Sequence, residues 1–241
     1  METGDLKARL VALLREGNAI QQAYVAGLST AEREATGTPQ RWSAKDLIAH
    51  LTGWKVLRLQ QLDAILRGEA APVFDLDETN ARMRDEQQNR SWDDVMAEEA
   101  QVVPELAAHI ELMSNSDLTA LDRFPLPLQP AALQLVRPGY THVIGHLAEH
   151  YIESGTIERA IALRQAAAAT LDAFPEFPEM VSAPHYNLAC CYALTDQPEQ
   201  ALTELRCALA LNPELTAYAR DDVDLVSLHE MAVYQAILAG N

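Results

Sequence analysis

The chain has 241 residues, 49% hydrophobic but only 6% aromatic, and carries 18 basic against 35 acidic side chains for a formal charge of -17. That length and apolar content allow one large domain or two small ones with a substantial core, and exclude a disordered chain. The acidic balance opposes phosphate backbones and anionic membranes, both of which need a basic surface to release counterions.

Abundant Ala and Leu with few aromatics favour helices over sheets, so an all-α protein is expected. The N-terminus is charged from Glu2 onward and lacks the apolar core of a signal peptide. No run approaches a membrane span, and a cytoplasmic protein is expected. The first helix is predicted from about Asp5 to Leu28, with Leu6, Leu10, Leu13, Leu14, Ile20 and Tyr24 at helical spacing. Thr36-Gly37-Thr38-Pro39 then supplies a loop. Ser43, with Asp46 three residues on, reads as a capping box opening a second helix that Gly68 stops. Within that helix His50 shares an apolar stripe with Leu47, Trp54 and Leu57, and Trp54 reads as pocket wall or core.

A polar connection follows, with a short helix over Leu76 to Gln88 that places Asn80 and Met83 on one side. Ser91 caps a third long helix, Trp92 to about Met113, in which Pro104 should introduce a kink. His109, alone on that helix, reads as an ordinary surface or core histidine. Phe124 to Pro130 is too proline-rich for a helix and should form an ordered crossover. Gly139 to Gly155 then reads as one helix with His142, His146 and His150 at successive i, i+4 positions, a spacing at which two imidazoles on one side share a metal ion.

After Gly155 the chain becomes Ala-rich, and Ser182 to Leu215 resembles a tetratricopeptide repeat through Leu188, Ala189, Tyr192, Ala201, Leu205, Ala208 and Pro213. Moving back 41 positions aligns Leu147 with Leu188, Ala148 with Ala189, Tyr151 with Tyr192, Ala160 with Ala201 and Ala167 with Ala208. Phe174 to Pro178 absorbs the excess over the usual repeat of about 34 residues. Asp221 to about Ala239 reads as a capping helix. Cys190, Cys191 and Cys207 all fall in these helices, where an odd number speaks for small buried residues rather than a disulfide framework.

The His-bearing helix thus has one face for the repeat and an opposite face for a helical bundle. With Ile144 at zero and about 100° per residue, Leu147, Ala148 and Tyr151 cluster within about 60° of it. His142 and His146 fall at about 160° and about 200°, straddling the inward direction, while His150 falls at about 240°. Glu149, at about 140°, is near the inner face as a base, a fourth ligand or a hydrogen-bond partner to a ligand.

Trp42-Ser43-Ala44-Lys45-Asp46 leading to His50 and Trp54, an acidic connection bearing Asn80, and a late His-x-x-x-His helix together resemble the DinB-like four-helix bundle superfamily. The resemblance covers roughly residues 5 to 155, and its ClbS/DfsB branch looks closest. It implies a bundle over 1–155, followed by a repeat segment with its cap over 156–241. It also implies that one histidine of the second helix and two of the last hold a divalent cation, which map to His50 and two of His142, His146 and His150. The rotation above selects His142 and His146. Zinc or nickel suits such ligands. Three neutral imidazoles leave coordination positions for water or for the thiolate of a low-molecular-weight cosubstrate.

The expected function is a metal-dependent enzyme acting on a small electrophilic molecule by thiol transfer or hydrolysis, with Glu149 in a catalytic role. The alternatives are a protein- or peptide-binding repeat on a non-catalytic bundle, and a metal-free ClbS-like hydrolase. A homodimer is left open. The sequence offers no nucleotide loop, no Ser-His-Asp cue and no redox cysteine pair to compete with the histidines.

Overall fold

Serine side chains set where helices begin. In the computed structural model, which describes residues 6–38, 41–87, 89–122, 124 and 129–240, the chain runs through α1 (Leu6–Ala26), α2 (Thr30–Glu34), α3 (Ala44–Leu66), α4 (Leu76–Gln87), α5 (Trp92–Leu112), α6 (Asn115–Thr119) and α7 (Ala131–Val136). A 3-10 turn, Arg137–Gly139, then leads into α8 (Thr141–Glu153). Ser29, Ser43, Ser91 and Ser114 each accept the N3 backbone N–H, while Glu32, Asp46, Asp94 and Asp117 reach back to the cap backbone. These capping boxes satisfy donors that a helix start leaves open. The only strand-like feature among the described residues is an isolated bridge between Thr38 and Arg41.

The fold is all-α, and the long helices start and stop close to where periodicity places them. The short helices α2, α6 and α7 were not expected, because five or six residues carry too little periodicity to register. Helix α5 continues through Pro104. Most of the proposed crossover from Phe124 to Pro130 lies outside the described residues.

The chain divides into two compact units, Met1–Val143 and Ile144–Asn241, with the division inside α8. In the first unit, α3 packs against α5, α4 and the 3-10 turn, over a core that includes Leu10, Leu14, Ile48, Leu51, Leu62, Leu106 and Ile110. Inside this apolar set sits a salt bridge between fully buried side chains, with Lys55 Nζ donating to Glu99 Oε1 at 2.6 Å. Gln21 Oε1 accepts a second Lys55 hydrogen bond at 2.9 Å, and the Thr52 hydroxyl donates to Glu99 Oε2 at 2.7 Å. Burial pulls the lysine's basicity down and Glu99 pulls against it.

The start of α8 is held by a close approach of α1. A Cβ at Gly17 would lie 2.0 Å from the Gly139 carbonyl oxygen, so only glycine lets the two backbones meet. Next to it the buried Tyr140 donates its hydroxyl to Glu16 Oε1 at 2.9 Å.

In the second unit α8 is followed by α9 (Ile157–Leu171), α10 (Pro178–Leu194) and α11 (Pro198–Leu211). The α8–α9 and α10–α11 turns match at the spacing seen in the sequence. Gly155 and Asp196 both have positive φ, 74° and 56°. Thr156 N–H donates to Tyr151 O at 2.8 Å, and Gln197 N–H donates to Tyr192 O at 2.9 Å. Ala148, Ala160 and Cys191 pack together, and Ala189, Ala201, Leu205 and Ala208 join a larger core.

Two expectations fail here. The single capping helix is instead α12 (Leu215–Asp221), a 3-10 turn (Val223–Leu228) and α13 (Ala232–Leu238). Asp222 breaks it: its backbone is extended, and its carboxylate accepts the Asp224 N–H at 2.9 Å and the Tyr186 hydroxyl at 2.8 Å. Cys207 is exposed, whereas Cys190 and Cys191 are buried; all three are free thiols. On α11 Cys207 points away from the side on which Leu205 and Ala208 are buried.

His185 of α10 joins three helices of this unit, with Nδ1 2.6 Å from Glu204 Oε2 on α11 and Nε2 3.1 Å from Asp172 Oδ1 at the end of α9. Burial alone would lower its pKa, but the hydrogen bonds to Glu204 and Asp172 outweigh burial and the net shift is upward.

Glu99→Leu, which strands Lys55 in the core, should cost about 3–5 kcal/mol in urea unfolding, with the Lys55→Met/Glu99→Leu double variant recovering most of it. Equal destabilisation by the single and double variants would show that the pair is not coupled. Because the folded pKa of His185 lies above its unfolded value of about 6.5, its stabilisation should be complete below about pH 6.5 and fade as pH rises through the folded value. His185→Gln should remove that alkaline decline from a melting-temperature profile.

Candidate metal centre

Two helices bring the histidines together. His50 lies two turns into α3, whose start is set by the Ser43–Asp46 capping box, and His142 lies at the start of α8, set by the Gly17–Gly139 approach. Their Nε2 atoms are 3.2 Å apart. His50 is only 8% exposed, and His142 and His146 are partly buried. His146 follows His142 by one turn on α8, and one ligand atom from each of the three rings lies within 4.8 Å of the others. His150 is not in that group. His109 hydrogen-bonds Glu105 O and Asp63 Oδ1, each at 2.7 Å, and belongs to the α3–α5 packing.

Aromatic rings surround the pair. The Trp42 ring centroid lies 4.7 Å from that of His50, and Trp54 stands edge-on to His142 at 6.3 Å. The Trp54 indole N–H donates to Asn80 Oδ1 of α4 at 3.1 Å. One residue before Trp54, Gly53 leaves room for the buried Met83 of α4, whose Sδ would be 3.0 Å from a Cβ at that position. Asn80 and Met83 thus share a side of α4, as expected, and that side holds the tryptophan beside the histidines.

Glu149 lies one turn after His146, with its Oε2 3.0 Å from His146 Nδ1 and its side chain 59% exposed. A carboxylate on Nδ1 fixes the ring and leaves Nε2 for another partner. Glu149 is not among the residues grouped as ligands.

The donor set suits a divalent ion. Two imidazole nitrogens on a tetrahedral zinc at about 2.0–2.1 Å are separated by about 3.3 Å, and the His50–His142 separation is 3.2 Å. Without an ion, the same distance fits one neutral ring donating to the other.

In the second unit Cys190, Asp222 and Asp224 also offer ligand atoms within 4.8 Å of one another. Burial, then the charges of Asp222 and Asp224, push the Cys190 thiol up, so it remains protonated and donates to Asp222 Oδ2 at 3.7 Å. It has no thiolate character, and it is buried, as the reading of the cysteines as small buried residues expects of it.

The DinB superfamily model matches residues 13–154. No curated protein matches the chain. Among solved structures, the chain is similar to the crystal structure of the mycothiol-dependent maleylpyruvate isomerase, at a TM-score of 0.48 and 18% identity, over 65% of this chain and 68% of that one. No helix among the described residues is long and apolar enough to cross a membrane.

Asn80→Ala should leave the fold intact, cost about 1 kcal/mol and change the tryptophan emission as the Trp54 indole loses its acceptor. An unchanged spectrum would mean that Asn80 does not position Trp54.

Proposed function

The chain belongs to the DinB superfamily, and on that premise we propose that it is a metal-dependent enzyme acting on a small electrophilic molecule by thiol transfer or hydrolysis. The observation that carries this reading is the 3.2 Å Nε2–Nε2 separation of His50 and His142, with His146 one turn further along α8. His50, His142 and His146 hold the ion, zinc or nickel by the softness of their ligands. A divalent ion there supplies a Lewis acid with positions open to water or to the thiolate of a low-molecular-weight cosubstrate.

The chain's own residues have separate tasks. Glu149 orients His146 through Nδ1 and, being exposed, exchanges protons with solvent at the edge of the centre. Trp42 and Trp54 form an aromatic wall that takes an apolar part of the substrate and excludes water. The family's domain extends through α8 to about Gly155, a boundary supported by the match ending at residue 154. Residues 156–241 then form a tetratricopeptide-like segment, supported by the paired turns at Gly155 and Asp196.

Peptide binding by that segment is a second reading, favoured by the exposed apolar side chains of Tyr218, Val223 and Val226. A metal-free ClbS-like hydrolase is the outcome to which a negative metal result would point.

The test is metal analysis of untagged protein, followed by mass-spectrometric assay of an electrophile panel with and without added thiol. One equivalent of zinc or nickel is expected in the wild type and in His150→Ala, with loss of both metal and turnover in His50→Ala, His142→Ala and His146→Ala. A thiol adduct formed only with added thiol identifies transfer; product formed without it identifies hydrolysis. Full turnover in His146→Ala would overturn the metal-dependent reading.

A further inference from the structure

Among the described residues, two arginines of the first unit form no ion pair with a carboxylate. Arg58 of α3 lies one turn beyond Trp54, and Arg137 opens the 3-10 turn that leads into α8. The chain has an acidic excess, and Lys55, Arg67 and Arg90 each find a carboxylate. Arg58 does not. One of its terminal nitrogens donates to Gln61 Oε1 at 2.6 Å, and Gln61 is itself held by donating to Pro72 O at 2.7 Å. The guanidinium lies over the Phe124 ring at 5.0 Å, and its Nε is buried with no hydrogen-bond partner.

The charge that acts on Arg58 is the like charge of Arg137. Burial, and then Arg137, lower the Arg58 guanidinium to about 10, so it stays a cation at neutral pH while repelling its neighbour. Arg137 is exposed and makes no ion pair among the described residues. Helix α3 packs against the turn that Arg137 opens, so a cation with an open buried donor and a cation at the surface lie on adjoining elements, and among the described residues neither forms an ion pair. A guanidinium's planar fork matches the oxygens of a carboxylate or phosphate.

Their position ties them to the histidines. Arg58 follows His50 by eight residues, about 12 Å along α3 at 1.5 Å per residue. Arg137 precedes His142 by five residues. Each arginine is thus offset from its histidine along the chain, with Trp54 between Arg58 and His50 on α3 and the turn bearing Arg137 packed against α3.

We propose that Arg58 and Arg137 form an oxyanion-binding site that takes a terminal carboxylate or phosphate of a small-molecule ligand whose other end lies at the histidine centre. The link to the histidines rests on the function proposed above; the oxyanion site itself does not need the metal. The substrate class becomes an elongated anion with an apolar middle, matched by the guanidiniums at one end, Trp54 along its length and the imidazoles at the other.

The test uses full-length protein freed of metal by chelation and titrated with sodium phosphate and, separately, disodium succinate, by calorimetry and thermal shift. Sodium chloride at matched ionic strength is the control. Saturable binding of phosphate or succinate but not chloride is expected, and the stronger probe identifies the oxyanion. Arg137→Gln, at an exposed position, should keep the far-ultraviolet spectrum and weaken binding by about tenfold or more, the usual worth of a charge-assisted hydrogen bond. Arg58→Gln should do the same if it folds, and Arg137→Gln decides the matter if it does not. His146→Ala should bind oxyanion as the wild type does, so a failed metal centre leaves this result readable. Absence of saturable binding by either probe, or wild-type affinity in Arg137→Gln, would overturn the site.

Discussion

Burying Lys55 and Glu99 against each other sets the rotation of α3, on which the placement of the other groups in the first unit depends. A lone ammonium or carboxylate in that core would cost several kcal/mol. The two must meet, with Gln21 and Thr52 taking their remaining hydrogen bonds. Turning α3 by one residue would break this network and swing Lys55 into the apolar core. Since Lys55 lies five residues beyond His50, about 140° around the helix, the same rotation directs His50 and Trp54 to another face, where His142 and Asn80 meet them.

Helix α8 is constrained at its start by backbone rather than by charge. The glycine contact between α1 and the turn before α8 allows a separation that no side chain tolerates, and Tyr140 adds a hydrogen bond to Glu16. The histidines are therefore placed from two rigid sources, a buried ion pair behind α3 and a backbone contact ahead of α8. Preorganised imidazoles lose little conformational freedom on taking a ligand. The loss is further reduced for His146, whose Nδ1 is already engaged by Glu149.

Charge is distributed unevenly within an acidic molecule. Carboxylates cap helices at Asp46, Asp94 and Asp117 and pair with Lys55, Arg67 and Arg90. None pairs with Arg58 among the described residues, and burial and the charge of Arg137 both lower its basicity. A site of this kind is selective because the surrounding negative field repels any anion that does not gain both guanidiniums at once.

Several features were legible from the residues alone because they are local. Ser43 with Asp46 and Ser91 with Asp94 start helices where the capping pattern places them. Angle around a helix follows from spacing, so the residues of α8 alone suffice to set His150 at a different rotation from His142 and His146. The 41-residue self-similarity reappears in the turns at Gly155 and Asp196, since both follow from backbone geometry encoded next to them. The broken end of the chain was not legible: Asp222 leaves the helical conformation to meet Tyr186, 36 residues away, and no local pattern announces that contact. Nor was the exposure of Cys207, which depends on what packs against α11. Arg58 and Arg137 carry no local signal, and only the packing of α3 against the turn before α8 brings together the elements that bear them, 79 positions apart in the chain. Periodicity and capping are short-range properties that a sequence carries in itself, whereas the neighbours of a charge are decided by which helices the apolar core forces together.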